Sequence, residues 1–200
     1  MQLSKILDAM FPSACAGCGA GEGPICDGCL PNRRATCRFR IGPMDVVALG
    51  SYEGSLRSAI LAFKRGRRDV GCALARALAK LLVPASDSLL VPVPTTPRRQ
   101  AERGFDQAVL LAREVGRLTG FGVLDVLRQT AGDAQRGRSR SARLHARGRF
   151  RCTATTLVDG VQVILVDDVA TTGATLCDCA AVLTAAGARV TAAVVIARAR

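Results

Sequence analysis

From Asp45 onward, short apolar runs alternate with longer amphipathic segments. The apolar runs have the length of buried strands and lie at 45–52, 88–94, 163–167 and 189–197. The amphipathic segments have helical spacing and lie at 55–63, 72–82, 105–120 and about 174–186. Strands that alternate with helices form βαβ units, so this pattern predicts an α/β domain over residues 45–200, with a mostly parallel sheet flanked by helices.

Residues at the ends of these segments agree with the predicted boundaries. Ser55 is a candidate N-cap for the first helix, and Gly120 closes the third helix as a C-terminal glycine. Prolines stop the strand at 88–94, and Gly187 separates the final helix from the last strand. The predicted elements therefore have local start and stop signals as well as the right period.

The first forty residues follow neither pattern. They are rich in glycine and cysteine and hold few residues that could form a core. Leu3, Ile6, Leu7 and Met10 share one face of a short amphipathic helix. We therefore expect residues 1–40 to form a small N-terminal module, which consists of this helix and a cysteine-rich segment.

Two Cys-x-x-Cys turns lie close together in that segment, at Cys15 and Cys18 and at Cys26 and Cys29. Each turn lets two thiolates point at one ion, and two turns complete the tetrahedron of a structural zinc site. Three glycines permit a tight backbone around them: Gly17, Gly19 and Gly28. Redox cysteines or a disulfide pair are the alternative, but nine cysteines cannot all pair within one chain. We expect one zinc ion on these four thiolates.

Composition adds a strong positive charge to this picture. Of the 200 residues, 49% are hydrophobic and the mean hydropathy is +0.23, which is typical of a globular protein. The net charge of +12 favours anionic partners such as phosphorylated small molecules, nucleic acid or an acidic protein. An Ala- and Arg-rich composition is also typical of a GC-rich genome, so charge alone does not identify the partner. Apolar runs fall far short of the ~18 residues of a membrane span, and we expect a cytoplasmic protein.

The segment 163–175, VILVDDVATTGAT, joins a buried strand to two carboxylates and a small polar turn. In an open α/β sheet, ligands bind beyond the carboxyl ends of the strands, where Asp167 and Asp168 lie. Backbone N–H groups from about Ala170 to Thr175 face the positive end of the next helix and suit a phosphate. The carboxylates can accept hydrogen bonds from vicinal hydroxyls, so a ribose 5-phosphate explains both halves. The alternative is a capped strand-to-helix turn with exposed acids.

This segment resembles the phosphoribosyl pyrophosphate (PRPP) signature of type I phosphoribosyltransferases. Together with the paired cysteines, three further segments resemble the ComF family, whose members include competence-associated bacterial proteins. These segments are YEGSLRSAILAFKRGRRD (52–69), VPVPTTPRRQAERGFDQA (91–108) and RQTAGDAQRGRSRSARLHARGRF (128–150). The resemblance implies a type I phosphoribosyltransferase fold with a small N-terminal zinc-binding module.

The resemblance also implies ligands and residue roles. PRPP is the expected ligand, with Mg²⁺ on its pyrophosphate. Asp167 and Asp168 are the expected catalytic acids, and the PRPP-binding turn adds Ala170, Thr171, Thr172, Gly173, Ala174 and Thr175. The expected pyrophosphate loop comprises Pro94, Thr95, Thr96, Arg98, Arg99 and Arg103, because arginine forks suit pyrophosphate oxygens. Lys64 and Arg65 are weaker candidates for the same role.

Two positions depart from the family pattern. Asp106 in RGFDQ and His145 in RLHARGRF stand where the family usually has Asn. If those asparagines bind ligand, this chain has altered chemistry. We expect His145 to be a solvated side chain rather than a catalyst. Phe105 and Phe150 are the aromatic side chains expected near the site, where they could stack on an acceptor base.

Three functions agree with the sequence. The first is a Mg²⁺-dependent phosphoribosyltransferase with an unknown acceptor. The second is a non-catalytic accessory protein in DNA uptake, which binds nucleic acid or protein partners; the family link to competence, the net charge of +12 and the paired cysteines support it. The third is a PRPP-sensing regulator. A homodimer is an option for each of them.

The arginine-rich stretch 128–151 is expected to be a mobile flap that closes over PRPP. Arg136, Arg138 and Arg140 would pair with the pyrophosphate, so PRPP and Mg²⁺ should raise hydrogen-exchange protection across residues 131–150. A nucleic-acid clamp would instead bind duplex DNA with log K falling by roughly 0.9 per phosphate neutralised as log salt rises. Protection of this stretch by DNA, with no response to PRPP, would rule out the flap.

Overall fold

A computed structural model of the protein describes residues 14–20, 22–82, 87–130 and 149–199. Its strands are β1 (Cys37–Ile41), β2 (Met44–Ser51), β3 (Ser88–Pro92), β4 (Gly122–Val123), β5 (Leu127–Gln129), β6 (Phe150–Cys152), β7 (Gln162–Ala170) and β8 (Arg189–Arg198). Its helices are α1 (Gly54–Lys64), α2 (Arg68–Ala79), α3 (Pro97–Arg103), α4 (Gln107–Thr119) and α5 (Ala174–Ala185), and short 3₁₀ turns lie at Arg33–Ala35 and Thr155–Leu157.

Six of these strands form one sheet in the order β1-β2-β8-β7-β3-β4. All neighbours in it run parallel except the edge pair β1 and β2. Strands β5 and β6 form a separate antiparallel pair. Helices connect the parallel strands, so the predicted α/β class with a mostly parallel sheet is confirmed.

Strand β7 lies between two apolar layers. Successive side chains of a strand point to opposite faces, so Ile164 and Val166 pack into a layer formed by α1, α2 and α4. Val163 and Leu165 pack into the other layer, which contains α5 and the β5/β6 pair. All four side chains are buried. The next two residues of the same strand are aspartates, so the polar end of β7 begins directly where its buried part stops.

Strand β1 and helix α3 are elements that the apolar pattern did not predict. Strand β1 has only five residues, none of them fully buried, and its first residues fall within the expected 1–40 module although it belongs to the main sheet. Helix α3 has seven residues, none of them buried. Its signals are the caps instead: Thr96 Oγ1 accepts the Arg99 N–H at 3.1 Å, Pro97 opens the helix, and Gly104 closes it with φ of 73°.

The cysteine-rich segment packs against α1. Cys15, Ile25 and Cys29 lie in the same apolar layer as α1 and α2. The prediction that Ser55 caps α1 is wrong, because Glu53 occupies the N-cap position and Ser55 lies inside the helix. The Ser55 hydroxyl instead donates to the carbonyl oxygen of Cys29 at 3.3 Å. This serine therefore connects the first turn of α1 to the cysteine segment.

Some predictions fall on parts of the chain outside the described residues. They concern the N-terminal helix with Leu3, Ile6, Leu7 and Met10, the flap arginines Arg136, Arg138 and Arg140, and His145. The two ends of the expected flap 128–151 are described, and they pair with each other as the antiparallel strands β5 and β6 instead of belonging to a flap. Within the part of the chain that the structure describes, no helix is long and apolar enough to span a membrane.

Candidate functional site

A cavity of about 410 Å³ opens at the carboxyl end of the sheet. Its walls come from the end of β7, the turn after it, the loop after β3, and α3 and α4. Nine predicted site residues line it: Pro94, Thr95, Thr96, Arg99, Arg103, Asp167, Asp168, Thr171 and Thr175. The other predicted residues of the two segments lie outside the lining: Arg98, Ala170, Thr172, Gly173 and Ala174. The structure thus brings two distant parts of the sequence to one space.

The two aspartates lie within β7, because the strand extends to Ala170 instead of ending at 167. Both side chains are half-buried. Asp168 Oδ2 lies 2.6 Å from Lys64 Nζ at the last turn of α1. The Asp168 N–H donates to Asp167 Oδ1 at 2.7 Å. Lys64, a weaker candidate in the sequence, therefore lines the cavity as the counter-ion of one acid, whereas Arg65 lies outside the lining.

Asp167 has an unfavourable environment for its charge. Burial raises the pKa of the Asp167 carboxyl well above its usual range, and the negative charge of Asp168 raises this pKa further. The N–H of Asp168 and the ammonium of Lys64 act in the opposite direction. The paired acids are thus unequal: Asp168 has a cation beside it, and Asp167 is held at a cost in free energy when it ionises.

The turn after β7 has the shape of an anion site at a helix N-terminus. Thr171 and Thr175 line the cavity, and Thr172 Oγ1 accepts the Ala174 N–H at 3.4 Å. Gly173 is the N-cap of α5 with φ of 79°, a conformation that favours glycine. A Cβ at Gly173 would also lie 2.5 Å from Cδ1 of Ile41. Ile41 of the edge strand β1 therefore packs directly against this turn.

The opposite wall is the loop after β3 together with α3. Thr95 and Thr96 lie in the loop, and Arg99 and Arg103 extend from α3 to the cavity. Arg98 points elsewhere: its side chain is 87% exposed and pairs with Glu102 at 2.8 Å. The expected arginine cluster is therefore reduced to two side chains at the cavity.

Asp106 has a backbone role that explains an acid at this position. Its Oδ1 accepts the N–H groups of Ala108 and Val109 at 2.9 and 3.2 Å, which caps α4. Its Oδ2 accepts the Thr95 N–H at 3.1 Å. The side chain accepts from three donors, and an asparagine in the same pose would present its NH₂ group to one of them. Asp106 thus connects the loop after β3 to α4.

Four further residues with polar side chains line the cavity, and the sequence did not single them out as site residues: Tyr52, Gln107, Gln129 and Arg149. Tyr52 directly follows β2, and Gln129 ends β5. Arg149 pairs with Asp178 in α5 and lies just before β6. The carboxyl end of strand β2 is a signal that could have found Tyr52, whereas the approach of β5 and β6 to the cavity has no local signal.

The two aromatic residues expected near the site lie at different cavities. Phe150 lines the cavity as expected. Phe105 does not: its ring lies 5.6 Å from the ring of Phe63, with the guanidinium of Arg68 at 4.8 Å over it. It lines a second cavity of about 510 Å³ beside α2 and α4. The expectation that Phe105 stacks near the site is therefore wrong, because its ring packs against Phe63 and lines the second cavity instead.

The four cysteines of the N-terminal segment form a cluster that could hold a metal. The sulfur atoms of Cys15, Cys18, Cys26 and Cys29 all lie within 4.8 Å of one another. The Sγ atom of Cys15 accepts the N–H groups of Gly17 and Cys26 at 3.3 and 3.2 Å. An all-thiol donor set with backbone N–H groups on sulfur fits a structural zinc ion, which leaves no open position for a substrate.

The thiols of this cluster have different acidities. Burial raises the pKa of Cys15, but backbone N–H groups, first that of Cys26, more than offset this and lower it to about 6. Burial and the neighbouring sulfurs raise the pKa of Cys29 to about 12. Gly17 lies directly against Cys29, because a Cβ at Gly17 would lie 2.7 Å from Cβ and 2.8 Å from Sγ of this cysteine. Of the three glycines, Gly17 is thus required by close approach, Gly19 by its φ of 76°, and Gly28 by neither.

Gly17→Ala should weaken zinc binding by about ten- to a hundredfold, because the new methyl group would displace Cys29 from the cluster. Gly28→Ala is the matched control, since nothing lies within 4 Å of the added methyl group. Cys26→Ser should lose the metal and destabilise the N-terminal segment. Metal analysis with a chelator titration gives the readout.

Equal zinc retention in the two alanine variants, or a metal-free wild type with its four thiols in disulfides, would contradict the prediction of a zinc site.

Asp167→Asn should stabilise the fold at neutral pH and raise the unfolding midpoint by several degrees. The amide removes a charge that burial disfavours and still accepts the N–H of Asp168. Because the folded-state pKa of Asp167 is raised, the wild type binds its proton more tightly when folded. The advantage of the variant should therefore vanish below about pH 4, where both states are protonated, and grow as pH rises through the folded-state pKa.

Asp168→Asn is the contrasting variant for this measurement. It removes the partner of a half-buried Lys64, so its unfolding midpoint should fall. Thermal unfolding of both variants between pH 4 and pH 8 is the measurement. A drop in the midpoint for Asp167→Asn at neutral pH would refute the unequal environments of the two acids.

Comparison with known proteins assigns the chain to a family. A family model described as the phosphoribosyl transferase domain matches residues 101–200. The competence protein ComFC of Bacillus subtilis (strain 168) is 34% identical over 93 residues. This alignment covers 46% of the chain and 37% of ComFC, so the chain matches little more than a third of that relative.

Two solved structures superpose on 63% of the chain at 22% identity, and each superposition covers 26% of the known structure. One is described as the allosteric regulatory enzyme of purine biosynthesis, with a TM-score of 0.49. The other is the glutamine PRPP amidotransferase from B. subtilis in complex with ADP and GMP, with a TM-score of 0.48.

The family match agrees with the site. The matched residues make up half of the chain and contain α4, β7, the threonine turn and α5. The similarity to ComFC confirms the resemblance to the ComF family. Half of the sequence matches the family model, and the fold is a mostly parallel sheet with two acids at the end of β7. The chain therefore belongs to the phosphoribosyl transferase domain family.

Proposed function

We propose that the chain binds PRPP in the 410 Å³ cavity and transfers its phosphoribosyl group to an acceptor. One observation carries this proposal. The acid pair and threonine turn at the end of β7 share a single cavity with an arginine-bearing wall from α3. This cavity offers acceptors for ribose hydroxyls together with two groups of donors for anions, and PRPP carries a ribose with two anionic groups.

The ribose 5-phosphate half would lie against the end of β7. Thr171 and Thr175 supply hydroxyls at the cavity, and the first N–H groups of α5 have no partner within the helix. Asp167 and Asp168 would accept hydrogen bonds from the vicinal hydroxyls of the ribose. Ligand hydroxyls near Asp168 would share that carboxylate with Lys64, whose ammonium lies 2.6 Å away in the free chain.

The pyrophosphate half would lie against the opposite wall. Thr95 and Thr96 lie in the loop there, and the guanidinium groups of Arg99 and Arg103 suit oxygens of a pyrophosphate. Asp106 holds the loop by the Thr95 N–H, so the loop is tied to α4 before the ligand arrives. This is the preorganisation that electrostatic stabilisation of a leaving group requires.

We expect Mg²⁺ to bind at this site only together with PRPP. Asp167 and Asp168 are the carboxylates at the cavity that face the ribose position, and Asp106 is engaged by three N–H groups. Within the described residues, the cysteine cluster is the only protein group of three or more metal ligands. Oxygens of the pyrophosphate and water would therefore complete the coordination, and the ion would neutralise the charge of the leaving pyrophosphate.

The transfer step would break the bond between ribose C1 and a pyrophosphate oxygen and form a new bond between C1 and a nucleophilic atom of the acceptor, with pyrophosphate as the leaving group. Positive charge then develops on the ribose, next to the carboxylates at the end of β7, and negative charge develops on the leaving group, next to the arginines. The acceptor would enter over the ribose. Tyr52 and Phe150 line the cavity and offer ring faces to a planar acceptor.

A second candidate is an accessory role in DNA uptake without catalysis. The relative at 34% identity is a competence protein, and the net charge of +12 favours nucleic acid. In this function the cavity would bind PRPP as a structural or regulatory ligand. The acid pair and its counter-ion are intact, which supports ligand binding under either function.

The double variant Asp167→Asn with Asp168→Asn should abolish measurable PRPP affinity, because the ribose hydroxyls lose charged acceptors. Calorimetric titration with PRPP and Mg²⁺ is the test. Asp45→Asn is the matched control, since this exposed carboxylate lies at the amino end of the sheet and pairs with Arg40. Unchanged affinity in the double variant would exclude the ribose-hydroxyl role of the acids.

Turnover separates the two functions. PRPP should release pyrophosphate when the correct base is present, measured across a panel of bases. Tight PRPP binding without release for any base, together with DNA binding that weakens steeply with salt, would favour the accessory role.

A further inference from the structure

Gln107 presents an unexplained polar group in the wall of the cavity. It is the first residue of α4, it is 3% exposed, and it lines the cavity. Its Oε1 accepts a hydrogen bond from Arg103 Nη1 at 2.6 Å. Within the described residues its Nε2 is almost completely buried and has no hydrogen-bond partner. Buried amide donors without a partner are rare in native proteins and call for an explanation.

The Arg103 contact fixes which way this amide points. A guanidinium is a donor only, so the amide oxygen must face it and the NH₂ group must face away. Rotation of the amide by half a turn would place two donors against each other. The contact with Arg103 therefore leaves Nε2 without a partner.

The groups around Gln107 offer donors rather than acceptors. Arg99 and Arg103 line the same wall. The nearby carboxylate of Asp106 accepts from the N–H groups of Thr95, Ala108 and Val109. A ligand group that satisfies this corner must therefore bring oxygen acceptors, and the two guanidinium groups favour an anionic one.

We infer that Gln107 is a ligand-binding residue whose Nε2 donates a hydrogen bond to a pyrophosphate oxygen of bound PRPP. The inference rests on the proposed binding of PRPP. The 5-phosphate is assigned to the threonine turn on the opposite wall, so the donor corner at Gln107 and Arg103 takes the pyrophosphate. In this arrangement Arg103 has two roles: it contributes charge to the anion, and it orients the amide of Gln107.

The test uses calorimetry with three probes in the presence of Mg²⁺: PRPP, inorganic pyrophosphate and ribose 5-phosphate. Gln107→Met keeps the length of the side chain and removes the donor. It should weaken PRPP and pyrophosphate by about ten- to a hundredfold and leave ribose 5-phosphate unchanged. Gln107→Glu should weaken both more strongly, because a carboxylate would repel the anion and pair with Arg103.

Gln100→Glu is the matched control for charge. Gln100 lies on the exposed surface of α3, outside the cavity, so the same change there should leave all three affinities as in the wild type. Thermal unfolding is measured in parallel. Gln107→Met removes a buried donor without a partner together with the hydrogen bond from Arg103, so its unfolding midpoint should change little, although its affinity for pyrophosphate falls.

The outcomes separate this inference from the function on which it rests. Wild-type binding of PRPP with unchanged PRPP and pyrophosphate affinity in Gln107→Met overturns the role of Gln107 and leaves the proposed function standing. An equal loss for ribose 5-phosphate, with a lower unfolding midpoint, shows a structural role and also overturns it. A wild type that binds neither PRPP nor pyrophosphate overturns both.

Discussion

The burial of β7 on both faces is the constraint on which the site depends. A central parallel strand must fill two apolar layers, and residues 163–166 do so. Its last residues pass out of those layers at the edge where α1 ends and where α5 and the loop after β3 begin. Two carboxylates at this point stay half-buried, and they are tolerable only because a cation and a backbone N–H reach them. The charge pattern of the cavity therefore follows from where the core stops.

The three aspartates around the cavity have different surroundings. Asp168 has Lys64 as its counter-ion, Asp106 is occupied by backbone N–H groups, and Asp167 keeps an unfavourable charge. Residues with perturbed acidity in a cleft are typical of functional sites, whereas an acid fully engaged by the backbone is typical of a structural one. This difference supports the proposal that Asp167 and Asp168 face the ligand, whereas Asp106 ties the loop after β3 to α4.

The sequence predicted the fold class and both walls of the cavity because their signals are local. A buried run followed by acids and a threonine turn, and a strand followed by prolines and arginines, can each be recognised without knowledge of the rest of the chain. The contacts between segments had no such signal. Phe105 packs against Phe63, Ser55 bonds to Cys29 instead of capping α1, and the amide of Gln107 is oriented by Arg103 at the end of α3. These contacts depend on tertiary packing, which cannot be predicted from hydrophobic periodicity or from secondary-structure propensity.

Helix α1 has the cysteine cluster at one end and the cavity at the other. Ser55 in its first turn bonds to the Cys29 carbonyl, and Lys64 in its last turn meets Asp168. Eleven residues of helix span about 16 Å, so the two contacts are joined by a single short, stiff rod. The cysteines do not line the cavity. Even so, the position of the Lys64 ammonium depends on them, because Lys64 and Ser55 belong to the same helix. Any change in the packing of the cysteine segment would therefore shift Lys64 relative to Asp168, so a segment outside the lining of the cavity affects the electrostatics inside it.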